Sequence, residues 1–456
     1  MSISDLFSLQ KNSFYKFKNS TYRERKENLL KLKKLILDNE GLIKGALYKD
    51  LGKSETEVVI TETFFTLNEL NHTLKNLKRL MKKRRVGTSL LSFPARSYIQ
   101  PHPKGVVLII SPWNYPFQLL ISPLIGALAA GNMAILKPSE VAPELSGLIA
   151  DLIPRYFPEE IVAVVEGGIP ETTELLNLPF NHIFYTGNIA VGKIVMERAA
   201  KNLTPVTLEL GGKSPCVIWG ENDFELVARR LVWGKFLNVG QTCVAPDYVI
   251  IEKENKQKLI NAIEKTLEVF YPGGPSKSPD YGRMISHKHY DRVMNLIVPD
   301  EVEIGGKGIR EDKYIGPTIL SSSFDSPAMQ EEIFGPVLPI LTTDSFNEAI
   351  EYINSKPNPL ASYIFSKDSF LLDDFSKKVI SGGMTINDCV IHLTNPNLPF
   401  GGVGDSGIGS YHGKTSFETF THYKSVMRRG LFLDITLRYP PYLGKSKIFR
   451  KLMSWF

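Results

Sequence analysis

Cys243 sits in FLNVGQTCVAPDYV, among neighbours that a purely structural thiol does not need. Gly240 permits a tight backbone approach, and Gln241 and Thr242 bring hydrogen-bonding groups next to the sulfur. A thiolate is the competent nucleophile, so such a site must lower the thiol pKa or supply a base. VTLELGGKSP at 206–215 offers one: a strand-like alternation carries Glu209 onto Gly211 and Gly212, at the strand end where ligands collect in α/β folds. A carboxylate there can activate the thiol or, later, the water that releases an acyl group. The third element is SPWNYPF at 111–117, where Pro112 and Pro116 rule out helix around Asn114. Its amide is then held on a rigid loop, as a donor to a developing oxyanion must be. Taken singly, the three have plainer readings as a core cysteine, a surface carboxylate and an aromatic packing loop.

Such groups need a scaffold, and the apolar pattern supplies one. From about residue 20 to 85, Leu29, Leu32 and Ile36, then Leu67, Leu70, Leu74 and Leu77, recur at helical spacing between lysines. The chain then changes character. KGVVLII at 104–110, MAILKP at 133–138, IVAVVEG at 161–167 and HIFYTG at 182–187 are short β-branched runs. Helical stretches are predicted between them at 117–130, 142–153, 170–177 and 190–201. That alternation implies parallel strands joined by crossover helices. It resumes with CVIW at 216–219 and a helix near 223–238, continuing to about 390, so two α/β domains in tandem are expected. GTSLLSFPARSYIQP at 87–101 breaks the pattern and reads as a projecting hairpin with an edge in need of a partner.

Composition narrows the class. A chain of 456 residues, 43% hydrophobic and 22% charged, exceeds one core and is globular. Its start, MSISDLFSLQKNSFYKF, lacks the apolar region of a secretory signal, so a cytoplasmic location is expected. Cys216, Cys243 and Cys389 lie far apart, without disulfide or zinc spacing, and no metal site is expected. His287 and His289 read as a solvated pair. The net charge of +6 equals the excess carried by residues 428–456, seven basic side chains against Asp434. The rest is balanced, which argues against a nucleic-acid-binding face. In the tail, Ile448, Leu452, Trp455 and Phe456 fall on one helical face with cations opposite. That pattern suits peripheral contact with the inner face of a membrane through residues 445–456, or else a disordered or dimer-docking end.

Together these stretches resemble the signature blocks of the aldehyde dehydrogenase superfamily: PWNYP around Asn114, KPSE at 137–140, YTGN at 185–188, LELGGKSP around Glu209, GQTC ending at Cys243 and EEIFGPV at 331–337. NLPFGGVGDSGIGSYHGKTSFETFTHYKSV at 397–426 is most similar to the class 3, fatty aldehyde dehydrogenase-like branch. The resemblance implies an α/β fold of the aldehyde dehydrogenase type. A Rossmann-type NAD(P)-binding domain would span 1–85 and 102–210, and an α/β catalytic domain 211–395. A small β oligomerisation element would span 86–101 and 415–435, with a basic amphipathic tail at 436–456.

The same resemblance makes Cys243 the nucleophile, Glu209 the base for deacylation, and Asn114 the oxyanion donor alongside the Cys243 N–H. It puts Lys137 and Glu140 on the adenosine ribose, Glu332 on the nicotinamide ribose, and Phe334 beside the ring. Gly187 follows a strand and opens a helix whose N-terminus can face the pyrophosphate. Glu140 disfavours a 2'-phosphate by like charge, so NAD is expected first, with NADP also used. Tyr115, Leu119 and Trp233 are channel-wall candidates or ordinary core, and His412 is expected near the site entrance. The implied substrates are medium- to long-chain aliphatic and aromatic aldehydes, and the implied assembly is a homodimer. Competing readings are a CoA-acylating enzyme, or a noncatalytic binding protein on the same scaffold.

Overall fold

The computed structural model describes residues 1–89, 92–434 and 436–453. Two compact units divide the chain, one formed by Met1–Leu80 with His102–His422 and the other by Met81–Pro101 with Tyr423–Phe456.

The larger unit opens with helices that start earlier than the leucine spacing indicates. Ser2 accepts the Asp5 N–H and caps a helix over Ile3–Phe17, where interspersed polar residues blur the period. A capping box of Thr21 and Glu24 starts Tyr22–Asp38, and Gly52, left-handed at φ 66°, closes Glu40–Leu51. The next helical run reaches Leu80 and contains a π-helical turn at Val59–Thr63.

The first sheet holds five parallel strands in the spatial order Val162–Val164, Met133–Lys137, Val106–Ile110, His182–Thr186 and Val206–Glu209. Gly407–Ile408 adds an antiparallel edge beside the last. By position in the chain this is third, second, first, fourth, fifth, the doubly wound order that opens a crevice where the direction of winding reverses. The reversal lies between Val106–Ile110 and His182–Thr186. Both of these strands and Met133–Lys137 are buried on both faces, which is why they read as unbroken apolar runs. Crossover helices at Gln118–Ala130, Pro143–Tyr156, Ile169–Leu176 and Ile189–Lys201 agree with the sequence reading to within a few residues. Phe7 of the first helix packs edge-on against Phe180 at 5.0 Å and joins the core around Leu108, Ile135, Ile183 and Leu208. Each such side chain contributes about 1.5–3 kcal/mol relative to exposure.

The second sheet, also in the larger unit, has the order Val302–Ile304, Thr318–Ser321, Val337–Thr343, Tyr248–Glu252, Pro215–Ile218, Ala361–Phe365 and Gly383–Ile386. Only the Val302–Ile304 edge pairs antiparallel. Val217, Ile250, Leu341, Ile364 and Phe375 form its core. The chain therefore has the α/β architecture expected, with a doubly wound cofactor-type sheet followed by a second parallel one.

In the smaller unit, Arg84–Val86 pairs antiparallel with Arg96–Pro103, and Thr421–Arg428 lies on the other side of that central strand. Of the segment 87–101 read as a hairpin, residues 96–101 belong to the central strand, while its partner Arg84–Val86 lies just before the segment. A helix spans Lys445–Met453 with Ile448 about half exposed, whereas Trp455 and Phe456 of the apolar tail face lie outside the described residues. Among the described residues no helix is long and apolar enough to cross a membrane.

Candidate active site

The turn that carries Cys243 is strained. Helix Phe224–Phe236 ends, and Asn238, Val239 and Gly240 follow at φ 51°, 56° and 73°. Non-glycine residues held there cost about 1–3 kcal/mol each, so the surroundings must over-determine them. They do. Glu57 accepts the Asn238 N–H at 2.8 Å, and Gln241 Nε2 donates to the Asn238 and Arg283 carbonyls at 3.1 and 3.0 Å. Gln241 Oε1 accepts the Ile285 N–H at 3.0 Å. A Cβ on Gly240 would stand 2.3 Å from the Gly335 carbonyl oxygen, so only glycine lets the 331–337 segment approach. Gln241 and Thr242, odd neighbours for a structural thiol, are in fact the pegs of this turn.

Cys243 keeps partial exposure, unlike the buried Cys216 and Cys389. Burial and then the Glu332 and Glu209 carboxyls push its pKa up to about 12. Of the two routes open from the sequence, a lowered thiol pKa or a nearby base, the first is therefore not the one the free site shows. At neutral pH the free enzyme therefore stores an uncharged thiol.

Asn114 follows the strand Val106–Ile110 on its proline-braced loop and is buried. Its Nδ2 donates to the Gln241 carbonyl at 2.9 Å, two residues before the sulfur. One amide N–H is spent on that bond and one remains for an oxyanion. The next residue, Tyr115, is buried with its hydroxyl 2.6 Å from Thr242 Oγ1. Glu209 ends the strand Val206–Glu209, and its carbonyl accepts the Gly187 N–H at 3.0 Å. Both of its carboxyl oxygens are buried without a protein partner, and burial lifts its pKa well above the usual carboxyl range. Leaving such a group unpaired is costly, so its oxygens are open to a water or a reactant as partner. Cys243, Glu209, Glu332, Asn114 and Tyr115 are thus brought together.

Glu332 is held up to about 8 by burial and the neighbouring Asp247, opposed by the Gly212 N–H. Its loop is anchored by Arg292, which donates to the Glu332 carbonyl at 3.2 Å, and by Lys213, which donates to the Glu331 carbonyl at 2.9 Å. Phe334, at φ 48°, meets Trp113 edge-on at 5.4 Å, so the 331–337 segment packs against the Asn114 loop. The other side of Trp113 takes His289 at 4.7 Å. The histidine pair is therefore split: His287 is exposed, while His289 is half-buried as an aromatic buttress. No metal-binding group occurs among the described residues.

The crevice at the strand ends suits a dinucleotide. Ser111 Oγ and Thr186 Oγ1, at the ends of the two strands flanking the reversal, are buried and unpartnered. Gly187 leads into the helix Ile189–Lys201, capped by Asn188, and a Cβ on it would strike the Tyr185 hydroxyl at 2.2 Å. Helix N-termini bind pyrophosphate through free N–H groups and the helix dipole. Lys137 ends the neighbouring strand, donating to the Pro138 carbonyl at 2.7 Å and lying 3.4 Å from the half-exposed Glu140. The Glu332 carboxyl lies directly against Gly211, where a Cβ would meet it at 2.2 Å.

Of the channel candidates, Leu119 is buried in the first turn of Gln118–Ala130, and Trp233 is half-buried on the helix before the Cys243 turn. His412, expected near the site entrance, is buried, with only 3% of it reaching solvent. Its ring stacks on Phe400 at 5.2 Å and touches Tyr411 and Phe65 at 4.2 and 5.5 Å. Burial, reinforced by His392, depresses its pKa to about 3, so it is neutral. Electrostatic influence of Glu209 and Cys243 on Tyr411 shows that these rings reach the reactive cluster.

The aldehyde dehydrogenase family model matches residues 3–426. The chain belongs to the aldehyde dehydrogenase family. It is 48% identical to the 4,4'-diaponeurosporen-aldehyde dehydrogenase of Staphylococcus aureus, with 93% of each chain covered. It is 46% identical to the dimeric NADP-preferring aldehyde dehydrogenase of Rattus norvegicus, covering 96% of this chain and 98% of that one. A Staphylococcus aureus AldH structure in a substrate-bound state superposes with a TM-score of 0.97 at 46% identity, covering 99% of this chain and all of that one. The enzyme is an NAD(P)-dependent oxidoreductase acting on aldehydes.

Sequence reasoning missed Lys53, Glu57, Glu62 and Asn238, all buried around the Asn114 loop. DLGKSETEVVITETFF reads as a solvated helix, and no local signal separates its buried charges from exposed ones. The raised thiol pKa sets an expected outcome for the free enzyme. Iodoacetamide alkylation of Cys243, followed by peptide mass spectrometry, should climb steadily between pH 7 and pH 10. A plateau below pH 9 would contradict the burial argument.

Proposed function

We propose that the enzyme converts medium- and long-chain aliphatic and aromatic aldehydes to carboxylic acids through a thioester on Cys243. The observation that carries this is the convergence of a thiol, a spare amide N–H and an uncommitted carboxyl from three separate loops. The thiol proton passes to solvent as the sulfur adds to the aldehyde carbon, giving a tetrahedral thiohemiacetal whose oxyanion takes the Asn114 N–H and the Cys243 main-chain N–H. Loss of hydride from that carbon leaves a thioester. Glu209 then takes a proton from water, which attacks the thioester and releases acid and the free thiol. Oxidised nicotinamide, when bound, would supply the hydride acceptor and a positive charge that lowers the cost of the sulfur anion.

Lys137, Glu140 and Gly187 hold the adenosine side of the cofactor, and Glu332 and Phe334 the nicotinamide side. Half-exposed Glu140 favours NAD by repelling a 2'-phosphate, while its neighbour Lys137 tempers that repulsion, so NADP is also accepted. The apolar wall of Phe65, Phe400 and Tyr411 with neutral His412 supports apolar substrates. Both carboxyl oxygens of Glu209 remain free for water, which favours hydrolysis over transfer to a thiol such as CoA.

Steady-state kinetics with hexanal, hexadecanal and benzaldehyde should show turnover with NAD. Cys243→Ser should abolish oxidation yet still bind NAD, and Glu209→Gln should accumulate acyl-enzyme visible by intact mass. Normal turnover by either variant contradicts the assigned roles, and a product that forms only with added CoA favours the acylating alternative.

A homodimer joined through the three-stranded sheet is part of the same proposal, supported by the dimeric rat relative. So is peripheral membrane contact by Lys445–Met453, whose Lys445, Lys447, Arg450 and Lys451 accompany exposed Ile448. The full chain should cosediment with anionic liposomes, and a chain ending at Pro440 should not. Equal pelleting removes the membrane role, and a monomeric mass in analytical ultracentrifugation removes the dimer.

A further inference from the structure

Lys53 and Glu62 are fully buried, and their charged groups meet at 2.7 Å. A buried ion pair recovers little of the cost of dehydrating it, and apolar residues of similar volume usually serve stability as well. The contacts of this pair point to a different use. Lys53 Nζ donates to the Asn114 carbonyl at 2.9 Å and lies 3.9 Å from the centre of the Tyr115 ring. Glu62 Oε2 accepts the main-chain N–H of Gln118 at 2.8 Å, at the N-terminus of Gln118–Ala130, where a carboxylate is favoured. The pair therefore grips the Asn114 loop on both sides of Pro116.

A second hold closes from the nucleophile's side. The Asn114 carbonyl also accepts from Asn238 Nδ2 at 2.8 Å, and Glu57 fixes the main chain of Asn238. Glu62 itself belongs to the π-helical turn Val59–Thr63. Such turns re-aim side chains and recur at functional sites.

We infer that Lys53 and Glu62 are positioning residues for the oxyanion donor, an inference that rests on the role proposed for Asn114. With its carbonyl clamped and one side-chain N–H on Gln241, Asn114 presents the other N–H in a fixed direction. Neither Lys53 nor Glu62 touches the reacting atoms. They act by removing freedom from the group that does.

The test replaces both charges together, as Lys53→Met with Glu62→Leu, so that neither member of the pair is left buried without the other. The expected result is a fall in kcat of about 10- to 100-fold, the scale of a misplaced donor, with KM and NAD affinity near wild type. Cofactor-free hydrolysis of p-nitrophenyl acetate should fall by the same factor, because it uses the same donor. In an Asn114→Ala background the replacement should have little further effect, since both changes act on one group. If the double variant fails to fold, Lys53→Gln with Glu62→Gln keeps a neutral polar pair of similar volume and carries the same comparison. Unchanged kcat, or an equal further loss in the Asn114→Ala background, overturns the positioning role. Wild-type kcat in Asn114→Ala alone sinks the underlying oxyanion assignment, and the positioning role with it.

Discussion

One sulfur and two carboxyls, from Cys243, Glu209 and Glu332, share a poorly hydrated volume, and they cannot all carry charge. In low dielectric each anion raises the free energy of the others, on top of the cost of its own dehydration. Cys243 is pushed up to about 12 and Glu332 to about 8, with Glu209 well above its usual range. Burial and mutual repulsion therefore favour the protonated forms of these groups at rest. Reaction requires something cationic or something that accepts negative charge, and the cofactor and the aldehyde carbonyl supply these in turn.

That arrangement is useful only if the donors are fixed before the charge appears. The fold meets the need by bringing three chain segments, distant in sequence, against one another. The parallel strands deliver Asn114 and Glu209 at their carboxyl ends, while a left-handed turn delivers Cys243. Gly240 lets the 331–337 segment close over that turn, and Trp113 packs against Phe334 and His289. Buried polar contacts, not apolar packing, fix the last ångström. Gln241 links the turn to Asn114, Arg283 and Ile285.

Much of this was legible in the residues. Strands buried on both faces read as unbroken β-branched runs, and crossover helices between them were located to within a few residues. The chemical groups were legible because proline and glycine flanked them, at Pro112, Pro116, Gly211 and Gly240. Features set by tertiary context were not. The helix Ile3–Phe17 lacks a clean apolar period, and its Phe7 finds a partner only in Phe180. His289 looked solvated beside His287 because nothing local announces Trp113. Lys53 and Glu62 carry the same letters as surface charges, and only the packing of two helices over the Asn114 loop buries them. The direction of the Cys243 shift depends on the same tertiary context. A nearby carboxylate looks like a base on paper, but two of them around a buried sulfur disfavour its anion.

The account stands on the demand that one carbonyl carbon be reached at once by sulfur, amide and carboxyl. A crystal structure of the enzyme acylated from a slowly hydrolysed aldehyde tests this most directly. The acyl oxygen should lie within about 3.1 Å of both Asn114 Nδ2 and the Cys243 main-chain nitrogen, with Glu209 facing the thioester carbon across a water. An acyl oxygen turned away from Asn114, or a Glu209 carboxyl opening into a different cavity, would contradict it.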